Sequence, residues 1–135
     1  MNNVAPVDEE YTPDGSVMIS EMNLEGTITF ANRKFCEVSA YELNELVGQN
    51  HSITRHPDMP KTVFTKMWQT LEDSQSWNGV LKSIRKDGHY YWSETEIIPI
   101  YDENDAITGY MSARRVASRK NIQEAEELYE KMLKS

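Results

Sequence analysis

The stretch Trp77-Asn78-Gly79-Val80-Leu81-Lys82-Ser83-Ile84-Arg85-Lys86-Asp87-Gly88-His89-Tyr90-Tyr91-Trp92-Ser93-Glu94-Thr95-Glu96-Ile97-Ile98-Pro99-Ile100-Tyr101, with its continuation at 107–116, decides the fold. Segments 77–85, 90–101 and 107–116 are rich in β-branched and aromatic residues, the types that fit a pleated, half-buried surface. Lys86-Asp87-Gly88 and Asp102-Glu103-Asn104-Asp105 separate them. Both separators are turn chemistry, short enough to reverse the chain between neighbours. Three consecutive antiparallel strands are predicted.

Upstream, Val63, Phe64, Met67, Trp68 and Leu71 recur at three- and four-residue steps, which marks an amphipathic helix from Lys61, with Pro60 suited to its first turn. Residues 49–60 read as loop or broken helix, and Asp58 has an adequate local role as a cap for the helix after Pro57. Asn32 is a good N-cap for a short helix carrying Phe35 and Val38, and a second short helix at 42–47 stops at Gly48. Before them, 17–22 and 27–30 read as two strands joined at Asn23-Leu24-Glu25-Gly26. Residues 1–15 form an extended arm. At the other end, Ile122, Ala125, Tyr129 and Met132 step by three, four and three, the spacing of a helical seam. Residues 16–116 are thus read as one domain and 117–135 as a C-terminal linker and helix, either docked on that domain or facing a partner helix.

The chain has 135 residues, 14 basic and 22 acidic side chains and a formal net charge of -8. That is enough for one core. Charge of this sign repels phosphates, which argues against nucleic acid as a partner. No apolar run approaches the ~20 residues that span a bilayer, so direct membrane insertion is not expected. The single cysteine, Cys36, closes no intramolecular disulfide, and Met1-Asn2-Asn3-Val4 lacks the charged and apolar regions of a secretory signal. The expectation is a cytoplasmic domain, with any membrane association coming through a partner or through sequence absent here. No nucleophile and base, phosphate-cradling glycine loop or catalytic carboxylate pair stands out, so no catalytic residue is assigned and the chain is expected not to be an enzyme. His51 and His56 are five residues apart, which is not the i, i+4 spacing of a helical zinc pair, and no metal site is expected.

The order of elements resembles a PAS domain. Glu25-Gly26 before Thr27-Ile28-Thr29-Phe30-Ala31-Asn32, then Phe35, Tyr41, Glu45-Leu46-Val47-Gly48, Lys86-Asp87-Gly88 and Gly109-Tyr110 carry the general likeness. Sharper is Arg55-His56-Pro57-Asp58-Met59-Pro60 with Phe64, Met67-Trp68, Trp77, Gly79, Tyr91-Trp92 and Gly109-Tyr110-Met111-Ser112. That set is similar to the FAD-binding sensory domains of the aerotaxis and energy-taxis receptor family, over about residues 17–115. The resemblance implies an α+β PAS fold, a five-stranded antiparallel sheet with flanking short helices and a C-terminal helix. It implies noncovalent FAD, redox or oxygen sensing, and transmission to a chemoreceptor signalling domain in the same or a separate chain, with homodimerisation through the sheet or the C-terminal helix. It places flavin-binding residues at Asn32, His51, Arg55, His56, Asp58, Phe64, Trp68 and Trp77. Ser83 is the ninth flavin-binding position, standing where that family carries asparagine, and Ala40 stands where such domains often carry glycine. Light-sensing relatives need a cysteine beside the flavin within 50–56, and this chain has none there. Two other readings stay open on the residues: a cofactor-free interaction or dimerisation module, and a sensor of haem or a small metabolite with His51 or His56 as axial ligand.

Overall fold

The structure, a computed structural model, describes residues 4–134. The 77–116 stretch forms β3 (Trp77–Ile84), β4 (Tyr90–Tyr101) and β5 (Ile107–Val116), and the N-terminal hairpin gives β1 (Met18–Asn23) and β2 (Ile28–Ala31). They make one antiparallel sheet in the order β2-β1-β5-β4-β3. The hairpin pairs with the last strand, which leaves β2 and β3 as the edges. Its turn closes on Asn23, whose side-chain oxygen accepts from the backbone of Glu25 and Thr27, and on Gly26, whose φ of 85° suits a residue without Cβ.

Four helices accompany the sheet: α1 (Arg33–Ser39), α2 (Leu43–Leu46), α3 (Lys61–Glu72) and α4 (Arg119–Leu133), with a 3-10 turn at His51–Thr54. Asn32 caps α1 by accepting from Phe35 N at 2.9 Å. The helix ends at Ala40 with φ 66°, a left-handed conformation that costs an alanine roughly 1–2 kcal/mol. The α3 helix starts after Pro60, not after Pro57, and Asp58 is not its cap. Proline disfavours helical angles in the residue before it, so Pro60 keeps Met59 out of the helix. Asp58 instead accepts from Lys82 of β3 at 3.0 Å.

Cross-strand partners share a face, and so Met18, Arg114, Thr95 and Gly79 form one row and Met22 with Tyr110 another on the inner side. Against this side pack Phe35 and Val38 of α1 and Val63, Phe64 and Met67 of α3. The outer side carries Val80, Trp92 and Glu94, and α4 lies there. Its Ile122, Ala125 and Tyr129 are buried, Tyr129 stacks on Trp92 with ring planes 9° apart, and the Tyr129 hydroxyl donates to the Val80 carbonyl. The stripe read as a seam for a partner helix is therefore occupied by the chain's own sheet. Upstream, the 4–15 segment is tied along the start of β4: Tyr11 N donates to Tyr90 O at 2.7 Å, Tyr90 N donates to Glu9 O at 3.1 Å, and Glu10 pairs with Arg119 at the start of α4.

Candidate functional site

The segment from the 3-10 turn to α3 is drawn onto the edge of the sheet, where Arg55 forms an isolated antiparallel bridge with Ser83 of β3. This brings His51, Thr54, Arg55, Phe64, Ser83 and Arg114 around one small cavity on the inner face. Four of the nine residues expected at a flavin site meet there. The Arg55 guanidinium lies over the Phe64 ring at 3.7 Å, a cation–π contact, and these side chains fill the space so that about 10 Å³ remains. The cavity as it stands admits no more than a water. Seating a ring here requires the side chains that fill the space to move, a rearrangement of the kind common on binding.

The other five are placed differently. Trp68 adjoins the group, edge-on to His51 with centroids 5.5 Å apart and edge-on to Tyr110 at 5.6 Å. A Cβ at Gly26 would meet His51 at 3.0 Å and Trp68 at 3.1 Å, so this cradle depends on the missing side chain. His56 is buried, edge-on to Tyr90, and its Nδ1 accepts from Asp58 N at 3.0 Å. Asp58 is exposed and holds Lys82. Trp77 lies over Gly79 at the other end of β3, in an open groove of about 540 Å³ shared with Val63 of α3 and Leu128 and Tyr129 of α4. Asn32 is away from the cavity. Its oxygen accepts from Phe35 and Ile19 and its nitrogen donates to Val17 O, so all of its amide serves the backbone.

Electrostatically the cavity inverts the charge of the chain. His51 is pushed down to about 4 by burial and by the nearby Arg55 and Arg114 charges. Burial also lowers His56 and Arg55. At neutral pH the lining thus presents two guanidinium groups and an uncharged imidazole.

Sequence reasoning missed the floor beneath. Arg114 is 6% exposed, its Nε donates to Ser112 Oγ at 3.1 Å, and no carboxylate among the described residues pairs with it. Phe35 lies under its guanidinium at 5.4 Å. Ser93 and Thr95 share a hydrogen bond at 3.0 Å, and the fully buried Tyr91 hydroxyl sits beside Ser83 and Arg114. A row of polar residues on the buried face of a sheet is the signal that could have found it, since buried polar groups need partners.

The chain belongs to the PAS fold family, whose match runs over residues 28–114. It is 42% identical over 125 residues to the aerotaxis receptor of Escherichia coli (strain K12), covering 91% of this chain and 24% of that one. It is 32% identical over 100 residues to a nitrogen fixation regulatory protein of Klebsiella pneumoniae, covering 74% and 20%. A solved light-oxygen-voltage domain studied with a flavin analogue shares the fold, with a TM-score of 0.72 at 22% identity over 87% of this chain and 88% of that one. The chain spans about a quarter or less of the length of these two curated relatives. Among the described residues no helix is long and apolar enough to cross a membrane.

Proposed function

We propose that this PAS domain binds FAD noncovalently against the inner face of its sheet and serves as a non-catalytic redox or oxygen sensor. Its partner is a chemoreceptor signalling domain, in the same or a separate chain, and its place is the cytoplasm. The observation that carries the reading is the donor set: a chain of net charge -8 gathers Arg55, Arg114 and a neutral His51 around one cavity. Cationic donors in a buried site suit a ligand rich in acceptors and negative charge. The likeness to the aerotaxis receptor supports the same reading.

The residues fit a flavin in kind. Arg55, at the sheet edge, offers a planar fork of donors for a pyrophosphate. His51 can donate from one ring nitrogen and accept at the other because it stays uncharged. Trp68 supplies flat apolar area and an indole donor. Ser83 supplies one hydroxyl where the related family carries a longer amide. When bound, the flavin contributes the oxidised and reduced forms that the domain tells apart.

The test is the visible spectrum of the purified protein, with the released ligand identified. Flavin bands and FAD on release are expected. Colourless protein that stays apo after incubation with excess FAD sinks the reading, and a haem Soret band replaces it with the haem sensor.

A further inference from the structure

We infer that Arg114, with the Tyr91 hydroxyl beside it, is the anchor for the acceptor-rich edge of the bound ring, and that it sets which charge state of the ligand is held best. The inference rests on the flavin reading and adds to it the orientation of the ring and a residue outside the Arg55–Pro60 motif.

The argument starts from what the fold tolerates. A charge taken out of water costs several kcal/mol unless it is paired. Arg114 sits on β5, the central strand of the sheet, with Thr95 and Met18 as cross-strand neighbours and Ser112 as hydrogen-bond partner, and no described acid faces it. Neutral hydroxyls satisfy part of a guanidinium but leave its charge uncompensated. Next to it, the Tyr91 phenol is wholly buried, with Ser83 and Arg114 beside it. Folding alone gives no reason to bury both groups at the bottom of a cavity. Together they present donors to anything that enters past Arg55 and Phe64.

A ligand that completes this site must bring acceptors to the guanidinium and the phenol. The carbonyl-bearing pyrimidine side of an isoalloxazine meets that requirement, and so does a phosphate. Arg55, half-buried and bridged to the edge strand β3, is the more accessible of the two guanidinium groups, and a phosphate held there keeps contact with water. The floor is left for the ring. A fixed cation against the ring favours the form that has taken up an electron from an external donor, because the added negative charge meets a charge already in place.

The experiment measures FAD and riboflavin affinity, apo-protein melting temperature and the midpoint potential of the bound flavin, reduced with dithionite, for wild type, Arg114→Met, Arg114→Lys and Tyr91→Phe. We expect Arg114→Met to melt no lower than wild type as apo-protein, since it removes an uncompensated buried charge. Its affinity for FAD and for riboflavin is expected to fall at least tenfold. A further tenfold loss of preference for the one-electron-reduced form lowers the potential by about 59 mV. Arg114→Lys restores part of both effects, and Tyr91→Phe weakens binding a few-fold. Arg114→Met apo-protein that melts well below wild type makes the residue structural and overturns the inference. So does affinity within twofold of wild type, or a loss for FAD with none for riboflavin, which puts Arg114 on a phosphate. Wild type that takes up no flavin defeats the cofactor reading itself, and that arm does not involve Arg114.

Discussion

Tyr91 and Trp92 are neighbours in β4, yet one turns inward to a buried polar floor beside Arg114 and the other outward to stack on Tyr129 of α4. The alternation of a strand puts them on opposite faces, and the two faces solve burial differently. Outside, apolar groups meet apolar groups: Ile122, Ala125 and Tyr129 of α4 against Val80 and Trp92. Inside, Ser83, Ser93, Thr95, Ser112 and Arg114 are all buried. The outer contact is held by apolar packing, whereas the inner row is held by hydrogen bonds between Ser93 and Thr95 and between Arg114 and Ser112. The difference teaches that this sheet is a divider, with a site on one side and a docked helix on the other.

The contrast breaks most severely at Tyr129. Tyr129→Ala removes the stack on Trp92 and the hydrogen bond to Val80, and it should destabilise the domain by about 3 kcal/mol in urea unfolding. A loss under about 1 kcal/mol would mean that α4 is only loosely held and that its stripe is open to a partner after all.

The inner face is tested next by acid. His51 titrates at about 4 when folded against an ordinary 6.5, so below 6.5 the unfolded chain binds protons that the folded one refuses. Stability therefore falls as the pH drops from 6.5 towards 4, by at most about 3 kcal/mol from this group. His51→Gln should flatten that part of the curve. An unchanged slope would show His51 to be better solvated than its position beneath Arg55 and Arg114 implies.

Smaller still is the effect at the rim. Arg55→Ala should lower FAD affinity at least tenfold, about 1.4 kcal/mol, with the circular dichroism of the wild type retained. Unfolded Arg55→Ala protein would make the Arg55 bridge to Ser83 a support of the fold. On neither face lies Ala40, whose left-handed φ of 66° makes it a control. Ala40→Gly should raise stability by about 1 kcal/mol and leave flavin affinity alone. A change in affinity there would tie α1 to the site.

The strands were legible because turn chemistry and β-branched runs are local signals, and 90–101 and 107–116 match β4 and β5 at both ends. Arg55, His51, Phe64 and Ser83 were reached through the family likeness, and they do converge. Arg114 escaped because an arginine near the end of a strand reads as a solvated charge, and only the pairing of β5 with both β1 and β4 shows it to be buried. Asn32 is the opposite case. Its amide suits a ligand by type, but its position before α1 gives it three backbone partners. The α4 stripe has the right spacing for a partner helix, and spacing alone does not say whether the partner lies in the same chain.

One feature of β3 bears on how the protein behaves in company. As an edge strand it has backbone donors and acceptors on the side away from β4, the arrangement by which sheets of different molecules join. The Arg55 bridge closes that edge at Ser83. Asp58 pins Lys82 one residue earlier in the strand, and the Trp77 ring blankets Gly79 farther along. The segment that lines the cavity is thus also a guard against strand-to-strand addition.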